Sequence, residues 1–439
     1  MIRKTFILLL ASVFCLPGLS AIYTLDEAIA LGLKNNTKML AFKAAKKNSE
    51  GRNSEAISGA LPKLSFNGGY NYISSVPSMS ISIPTGPLTS IDKTIVAGAG
   101  DNWAFKAQLT QEIFDWGRMF DNISSSEAAD NAAAKDLDAG ACSVAYAVKQ
   151  AYYSVVFGKD ALVVAEESLK VSSQHLSDAE QKYKEGAYSS FEVLRSRVQV
   201  SNLRPAVSKA KNYLEISKLN LKIALGLAYN DDIEVSGKLA EHQISIPDYN
   251  EKLKKALAAR PELLAARLRT ESAFSALESA NSLDKPVLSG FASYNYQNPY
   301  FVQLSWTQSW NAGLNLNIPI FDGNFTAAKV RQAEASLAAA AVSVKMLEDS
   351  TASELKQLIL SLSEAKERIA AQKDAVSQAE EYHKIAQVGF KSGTMTNLEV
   401  IDAELSLMNA RIGYLQALYD REVIESGIEK LAGPFALRG

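Results

Sequence analysis

The stretch Pro62-Lys63-Leu64-Ser65-Phe66-Asn67-Gly68-Gly69-Tyr70-Asn71-Tyr72 returns as Pro286-Val287-Leu288-Ser289-Gly290-Phe291-Ala292-Ser293-Tyr294-Asn295-Tyr296, an offset of 224 residues. Side chains alternate with period two in both copies. Leu64, Phe66, Gly68, Tyr70 and Tyr72 share one face, against Ser65, Asn67, Gly69 and Asn71. Such alternation predicts a strand with one apolar face, because successive side chains of extended backbone point to opposite sides. The proline ahead of each copy closes a helical pattern.

Working outward, the duplication covers nearly the whole chain. At the same offset Ile29, Leu33 and Leu40 correspond to Leu253, Leu257 and Leu264. This spacing predicts opening helices over Leu25 to Ile57 and Tyr249 to Ala280. Downstream the offset is 207, pairing Trp103 with Trp310, Phe114-Asp115 with Phe321-Asp322, Gly186 with Gly393, Val193 with Val400 and Arg204 with Arg411. The change from 224 to 207 places 17 extra residues between Tyr72 and Trp103, a longer loop in the first half. Second strands follow in each half. Trp103, Phe105, Ala107 and Leu109 form one apolar face, and Trp310, Ala312, Leu314, Leu316 and Ile318 the other.

After Asp115-Trp116-Gly117 and Asp322-Gly323-Asn324, turn chemistry gives way to long uninterrupted helices. From Phe325 to Lys391 there is no proline and Gly389 is the only glycine. These 67 residues span about 100 Å as one helix. Glycine turns end both long helices, Tyr183-Lys184-Glu185-Gly186 and Phe390-Lys391-Ser392-Gly393, and shorter helices return over Phe191 to Leu225 and Leu398 to Leu431. The returns are half as long, so the opening helix of the following half is expected to stack on one of them. Pro205 is expected to kink or interrupt its helix.

The N-terminus, Met1 to Ala21, has Arg3 and Lys4, an apolar run from Phe6 to Leu16, the Pro17-Gly18 break and small residues at Ser20 and Ala21. It reads as a cleaved secretory signal; a run of 11 residues falls short of the roughly 20 that a membrane helix needs. Phe14 ahead of Cys15 argues against a lipidated N-terminus, and after cleavage Cys142 is the one remaining cysteine, which excludes an intrachain disulfide. Lys+Arg 46 against Asp+Glu 48 gives no basic excess, so nucleic acid is not expected as a partner. The three histidines, His175, His242 and His383, form no metal-ligand motif, and no nucleophile or phosphate-loop motif accompanies them. No catalytic residue, cofactor or metal site is expected.

Strands of about ten residues fit a tilted membrane crossing, and Tyr70, Tyr72, Trp103, Tyr294, Tyr296 and Trp310 gather at strand ends as an aromatic girdle does. A soluble sandwich alternates in the same way. Four strands cannot close a barrel, and open edges are not tolerated in lipid. The chain is therefore expected to oligomerise, and three copies supply twelve strands.

Taken together, Leu25…Ile29…Leu33…Asn36, Leu61-Pro62-Lys63-Leu64, Phe114-Asp115, Phe321-Asp322-Gly323, Gly186…Glu192-Val193-Leu194 and Gly393…Glu399-Val400-Ile401-Asp402 resemble the TolC-like outer-membrane factor family. Each motif is weak alone; their order and duplication are specific. The resemblance implies a mainly α chain with a membrane β part. Three copies would make a twelve-stranded barrel in the outer membrane above a twelve-helix periplasmic coiled-coil tunnel. It further implies docking to a periplasmic adaptor and an inner-membrane pump or ABC transporter, as the exit duct of tripartite efflux or type I secretion. By position Glu192, Glu399 and Asp402 are similar to acids that ring the periplasmic entrance in that family. The other reading, helix N-terminal acids stabilised by the helix dipole, stays open beside it. Tyr183, Gly186, Phe390, Gly393 and Met395 are the expected tip and docking residues, and Met395 stands where relatives resemble a locking arginine. The expected layout is a signal over 1–21, a first repeat over 22–227, an equatorial connector over 228–248, a second repeat over 249–432 and a tail over 433–439. An exported coiled-coil adaptor or structural protein without a channel is the rival reading.

Overall fold

The computed structural model describes residues 21–96, 98–299 and 305–433; of the expected signal over 1–21 and tail over 433–439, all but Ala21 and Gly433 lie outside them. In chain order the elements are β1 (Ala21–Tyr23), α1 (Leu25–Asn35), α2 (Thr37–Gly59), β2 (Lys63–Tyr72), β3 (Ser78–Gly86), β4 (Thr89–Val96), β5 (Asp101–Phe114), α3 (Arg118–Lys184) and α4 (Ser190–Leu225). The second half continues with β6 (Ile233–Val235), α5 (Tyr249–Ala259), α6 (Pro261–Asn281), β7 (Val287–Asn298), β8 (Thr307–Asn317), α7 (Phe325–Ser392) and α8 (Asn397–Leu431). They fall into two compact units. One holds residues 21–44, Asp136–Leu263 and 347–433; the other holds Ala45–Lys135 and Leu264–Met346.

Four strands of the second unit form an antiparallel sheet ordered β2-β5-β7-β8. Its register confirms one continuous apolar face. Leu64 pairs with Leu109, Phe66 with Ala107, Tyr70 with Trp103, Leu288 with Leu316 and Tyr294 with Trp310. Between β5 and β7, Leu109 meets Ala292 and Phe105 meets Tyr296, on the same side. The expected long loop holds structure of its own, since β3 and β4 form a separate two-stranded hairpin that turns at Gly86. Its Met79, Ile81, Ile83 alternation carries a strand signal that the repeat comparison concealed.

Both opening helices are broken, each at the same repeat position. α1 stops at Asn36, whose backbone turns extended while its Oδ1 accepts from Lys38 N at 2.8 Å to start α2. α5 stops at Arg260, held extended ahead of Pro261, which opens α6 as first helical residue. The buried Arg260 guanidinium then donates to Thr351 Oγ1 at 2.9 Å and reaches Glu354 at 3.3 Å.

These breaks receive the returning helices, and the expected partner is corrected. α4 ends at Gly226, in left-handed backbone (φ 70°), against Asn35 and Asn36 of its own half; Asn36 Nδ2 donates to Ala224 O at 2.7 Å. α8 ends near Gly433, where an added Cβ would stand 3.2 Å from Ala259 in its own half. Each half closes on itself because the break exposes a helix end to be capped, so no exchange with the following half occurs. The connector is also drawn back to the start of the chain, where β6 pairs in parallel with β1. The fully buried Arg421 holds it too, donating to Ala240 O at 2.8 Å and to Glu422. α4 continues as one helix through Pro205, which excludes the interruption though not the kink: a single backbone bond is lost among 36 residues, and Leu203 and Val207 on either side are buried.

α3 and α7 contain 67 and 68 residues. Both start from the same device. Asp115 Oδ2 accepts from Met119 N at 2.9 Å and Asp322 Oδ2 from Thr326 N at 2.8 Å, after left-handed pairs Trp116-Gly117 and Gly323-Asn324. Buried alanines, among them Ala128, Ala132, Ala139 and Ala145 on α3 and Ala365, Ala379 and Ala386 on α7, let neighbouring helices approach closely.

Candidate functional site

Two helix tips lie together in the first unit. Each long helix ends in a Schellman turn, with the glycine in left-handed backbone (Gly186 φ 75°, Gly393 φ 79°). The turn bonds repeat as well: Ala187 N donates to Lys182 O at 2.9 Å and Thr394 N to Gly389 O at 2.9 Å.

Across each turn a side chain covers the residue six positions earlier, by different chemistry. In the first tip the Lys182 ammonium lies 5.0 Å from the Tyr188 ring centroid. In the second, Met395 takes the Tyr188 position and Gly389 the Lys182 position; a Cβ on Gly389 would stand 2.8 Å from Met395 Cγ. That contact explains the solitary glycine of α7. Met395 thus packs inward, in a small core with Ala386, Phe390, Val400 and Ala403. Lys182 Nζ also lies 4.4 Å from the Phe390 ring centroid, so a cation of the first tip faces an aromatic of the second.

Phe390 and its repeat mate Tyr183 part company. Phe390 is buried and tilts onto the His175 ring with centroids 4.8 Å apart, whereas Tyr183 is exposed. His175 opens a polar clasp that sequence reasoning missed. Its Nε2 lies 2.5 Å from Asn397 Oδ1, while Asn397 Nδ2 donates to Glu192 O at 3.1 Å and Ser196 Oγ at 3.0 Å. The Glu192 carbonyl accepts only, so it fixes which end of the amide is nitrogen. His175 Nε2 must therefore carry its proton. His175, Ser196 and Asn397 are all buried and tie α3 and α4 to α8. Their repeat mates are Tyr382, Ala403 and Ser190, so the clasp exists once, and its only trace in the sequence is that the duplication fails there.

The three expected entrance acids separate by role. Glu399 closes a capping box with Thr396, accepting from Thr396 N at 2.6 Å and Oγ1 at 2.9 Å. Those bonds, the backbone one foremost, hold its carboxyl below the ordinary range. In the first tip the same motif, Ser189 with Glu192, forms no side-chain cap. Glu192 Oε2 is left buried without a hydrogen-bond partner among the described residues, and Asp402 is exposed. Beside the tips a cavity of about 730 Å³ is lined by His175, Lys182, Gln387, Phe390 and Glu404 among others.

In the second unit the expected girdle residues lie on the apolar face at one end of the sheet. Tyr70 packs on Trp103 with centroids 4.5 Å apart, and its hydroxyl donates to Asp101 at 2.7 Å. Tyr296 stacks on Trp306 at 4.6 Å, which adds an aromatic that the strand pattern did not include. Tyr72, Tyr294 and Trp310 are exposed, Trp310 at 78%. Among the described residues no helix is long and apolar enough to cross a membrane, and no cluster of metal-ligating side chains occurs.

Comparison with known proteins agrees with this geometry. The chain is 22% identical over 402 residues to the outer membrane efflux protein BepC of Brucella suis, covering 90% of this chain and 82% of that protein. Its fold matches the Campylobacter jejuni CmeC outer membrane channel with a TM-score of 0.79 at 18% identity, over 93% of this chain and 85% of that one. The open-state MtrE outer membrane channel of Neisseria gonorrhoeae matches with a TM-score of 0.77 at 16% identity, over 93% and 89% of the two chains. The family described as outer membrane efflux protein matches over residues 28–227 and 253–434, and the chain belongs to it.

Proposed function

We propose that three copies of this chain form an exit duct, a twelve-stranded barrel in the outer membrane continued by a helical tunnel into the periplasm. The observation that carries this is the four-stranded sheet: β2 and β8 are its edges, and its apolar face is exposed, with Leu64 at 77% and Leu314 at 70%. Strand directions alternate from β2 to β8, so β8 of one copy can pair antiparallel with β2 of the next. Such closure satisfies every edge group that lipid would leave bare. At the tips, Phe191 and Val198 of α4 and their repeat mates Leu398 and Leu405 of α8 are exposed apolar side chains. They give a copy matched surfaces for its neighbours.

In this reading cargo reaches the tips from an inner-membrane pump or ABC transporter through a periplasmic adaptor. Phe390 and Met395 pack within the tip, which leaves Tyr183, Gly186 and Gly393 for docking. Asp402 and Glu192 supply the acids of the entrance, with Glu399 committed to its cap. Rings of three carboxylates favour cations. Outer-membrane fractionation with a heat-sensitive trimer on gels tests the duct, and a soluble monomer would overturn it. In planar bilayers the Glu192→Ala, Asp402→Ala double variant should lose cation preference; unchanged selectivity would remove the acidic entrance.

A further inference from the structure

Among the described residues of the tip, one buried acid is explained by neither the clasp nor the entrance. Glu404 of α8 is only 8% exposed, and neither carboxyl oxygen makes a well-directed hydrogen bond among the described residues. It sits one turn beyond Val400 of the tip core, next to the buried Ser172 of α3, and lines the same cavity as His175. Its repeat mate is Arg197, an exposed residue that bonds Glu180 at 2.8 Å, so burial of an acid is particular to this tip.

The charged and titratable groups facing that cavity from α3 are Glu167, Lys170, His175, Asp178, Lys182 and Glu185. From α7 comes Lys391, and on α4 Glu192 adjoins the clasp through its backbone carbonyl. None of them pairs with Glu404. Both of its oxygens have almost no accessible surface, so a hydrated cation has no approach to them. A proton is the counter-charge that fits, since a buried carboxyl without a charged partner is tolerated neutral and penalised ionised.

We propose that Glu404 is a proton-loaded latch of the tip: with its carboxyl protonated the α3, α4 and α8 tips stay clasped, and ionisation loosens them. Burial pushes the carboxyl from its ordinary 4.5 up to about 7, against a smaller opposing pull from the Ser172 hydroxyl. A raised acid in the packed tip binds its proton more tightly than in the opened tip. The latch is therefore at full strength below about pH 4.5, weakens as pH rises, and is spent above about pH 7. The opening equilibrium shifts by up to about 300-fold across that range. Its effect on flux rests on the tips being the pore entrance, while the loosening itself does not.

The test is hydrogen exchange of the full-length protein, from about pH 5 to about pH 8 and corrected for intrinsic rates, read on peptides around His175 and Asn397. Protection of the wild type should fall as pH rises. Glu404→Gln should hold its acid-side protection at every pH, and Glu404→Leu, which also cannot ionise, should do the same. His175→Gln should lower protection throughout yet keep the pH dependence. Infrared difference spectra should show a protonated-carboxyl band at about pH 6 that Glu404→Gln lacks. A wild-type pH profile surviving in Glu404→Gln, or vanishing in His175→Gln, would overturn the latch. Bilayer conductance against pH tests the consequence separately: loosening by exchange without a change of conductance would sink the entrance reading and leave the latch standing.

Discussion

Gly226→Ala should weaken the joint between α4 and the break after α1, and the structure sets how much. The residue has φ 70°, where an added Cβ costs about 1–2 kcal/mol on conformation alone. That Cβ would also meet the backbone of the opposing helix end, overlapping Asn35 O, 2.6 Å from Asn35 C and 3.0 Å from Asn36 N. Backbone cannot swing aside as a side chain does. The separation needed would break the buried bond from Asn36 Nδ2 to Ala224 O, adding about 1–3 kcal/mol. The total is about 2–5 kcal/mol. Gly186→Ala is the matched control: its φ is 75° but nothing lies within 4 Å of the added Cβ, so only the conformational part of about 1–2 kcal/mol applies. Local opening by hydrogen exchange should therefore rise about 30-fold more at the joint in Gly226→Ala than at the tip in Gly186→Ala. Equal effects would show that the joint is loose and the stacking argument wrong.

Two further outcomes follow from asymmetries between the halves and between the faces of the sheet. Thr396→Ala should destabilise the start of α8 by about 1 kcal/mol, whereas Ser189→Ala should change α4 little, because Ser189 makes no side-chain cap. The Thr396 effect should shrink in acid, since Glu399 has a depressed carboxyl whose contribution is present above its ordinary value of 4.5 and is lost as pH falls; exchange at both tips checks each point. Leu314→Arg on the apolar face should cut trimer yield in the outer membrane, at about 2–4 kcal/mol for a cation facing lipid. Asn315→Arg, one residue along on the opposite face, should assemble, and equal yields would contradict the assigned faces.

The duplication made most of the architecture legible, because its two offsets carried strand faces and helix length together: the alternation puts Tyr70, Trp103, Tyr294 and Trp310 on apolar faces, and the sheet then sets Tyr70 against Trp103 and Tyr294 against Trp310. The helix breaks were less visible. Arg260-Pro261 announces its break, but in the first half the same place reads Asn36-Thr37 inside a pattern that apolar spacing carries straight through. The β3–β4 hairpin escaped because it has no counterpart in the other half, and β1 and β6 because three residues give no periodicity. The clasp and Glu404 are the hardest class. Each depends on single polar residues that become neighbours only after about two hundred residues of chain have folded back, as with His175 and Asn397. What the sequence does hold is a list of positions where the repeat is broken by chemistry, Tyr382 for His175, Ala403 for Ser196 and Arg197 for Glu404, and the tip is built from those positions.

The near-equal lengths of α3 and α7 carry a consequence for how such a chain can change size. Their starts are joined through the hydrogen-bonded strands β5, β7 and β8, and their ends through the Phe390 ring of α7, which lies against His175 and Lys182 of α3. The two helices are rungs fixed at both ends, so neither can gain or lose residues alone without shearing one of the attachments. A single inserted residue also rotates everything beyond it by about 100° and turns the alanine seam away from its neighbour. Growth or shrinkage is therefore quantised: matched insertions or deletions of about seven residues in both helices preserve seam and ends alike, and the same cut made in one half alone should not assemble.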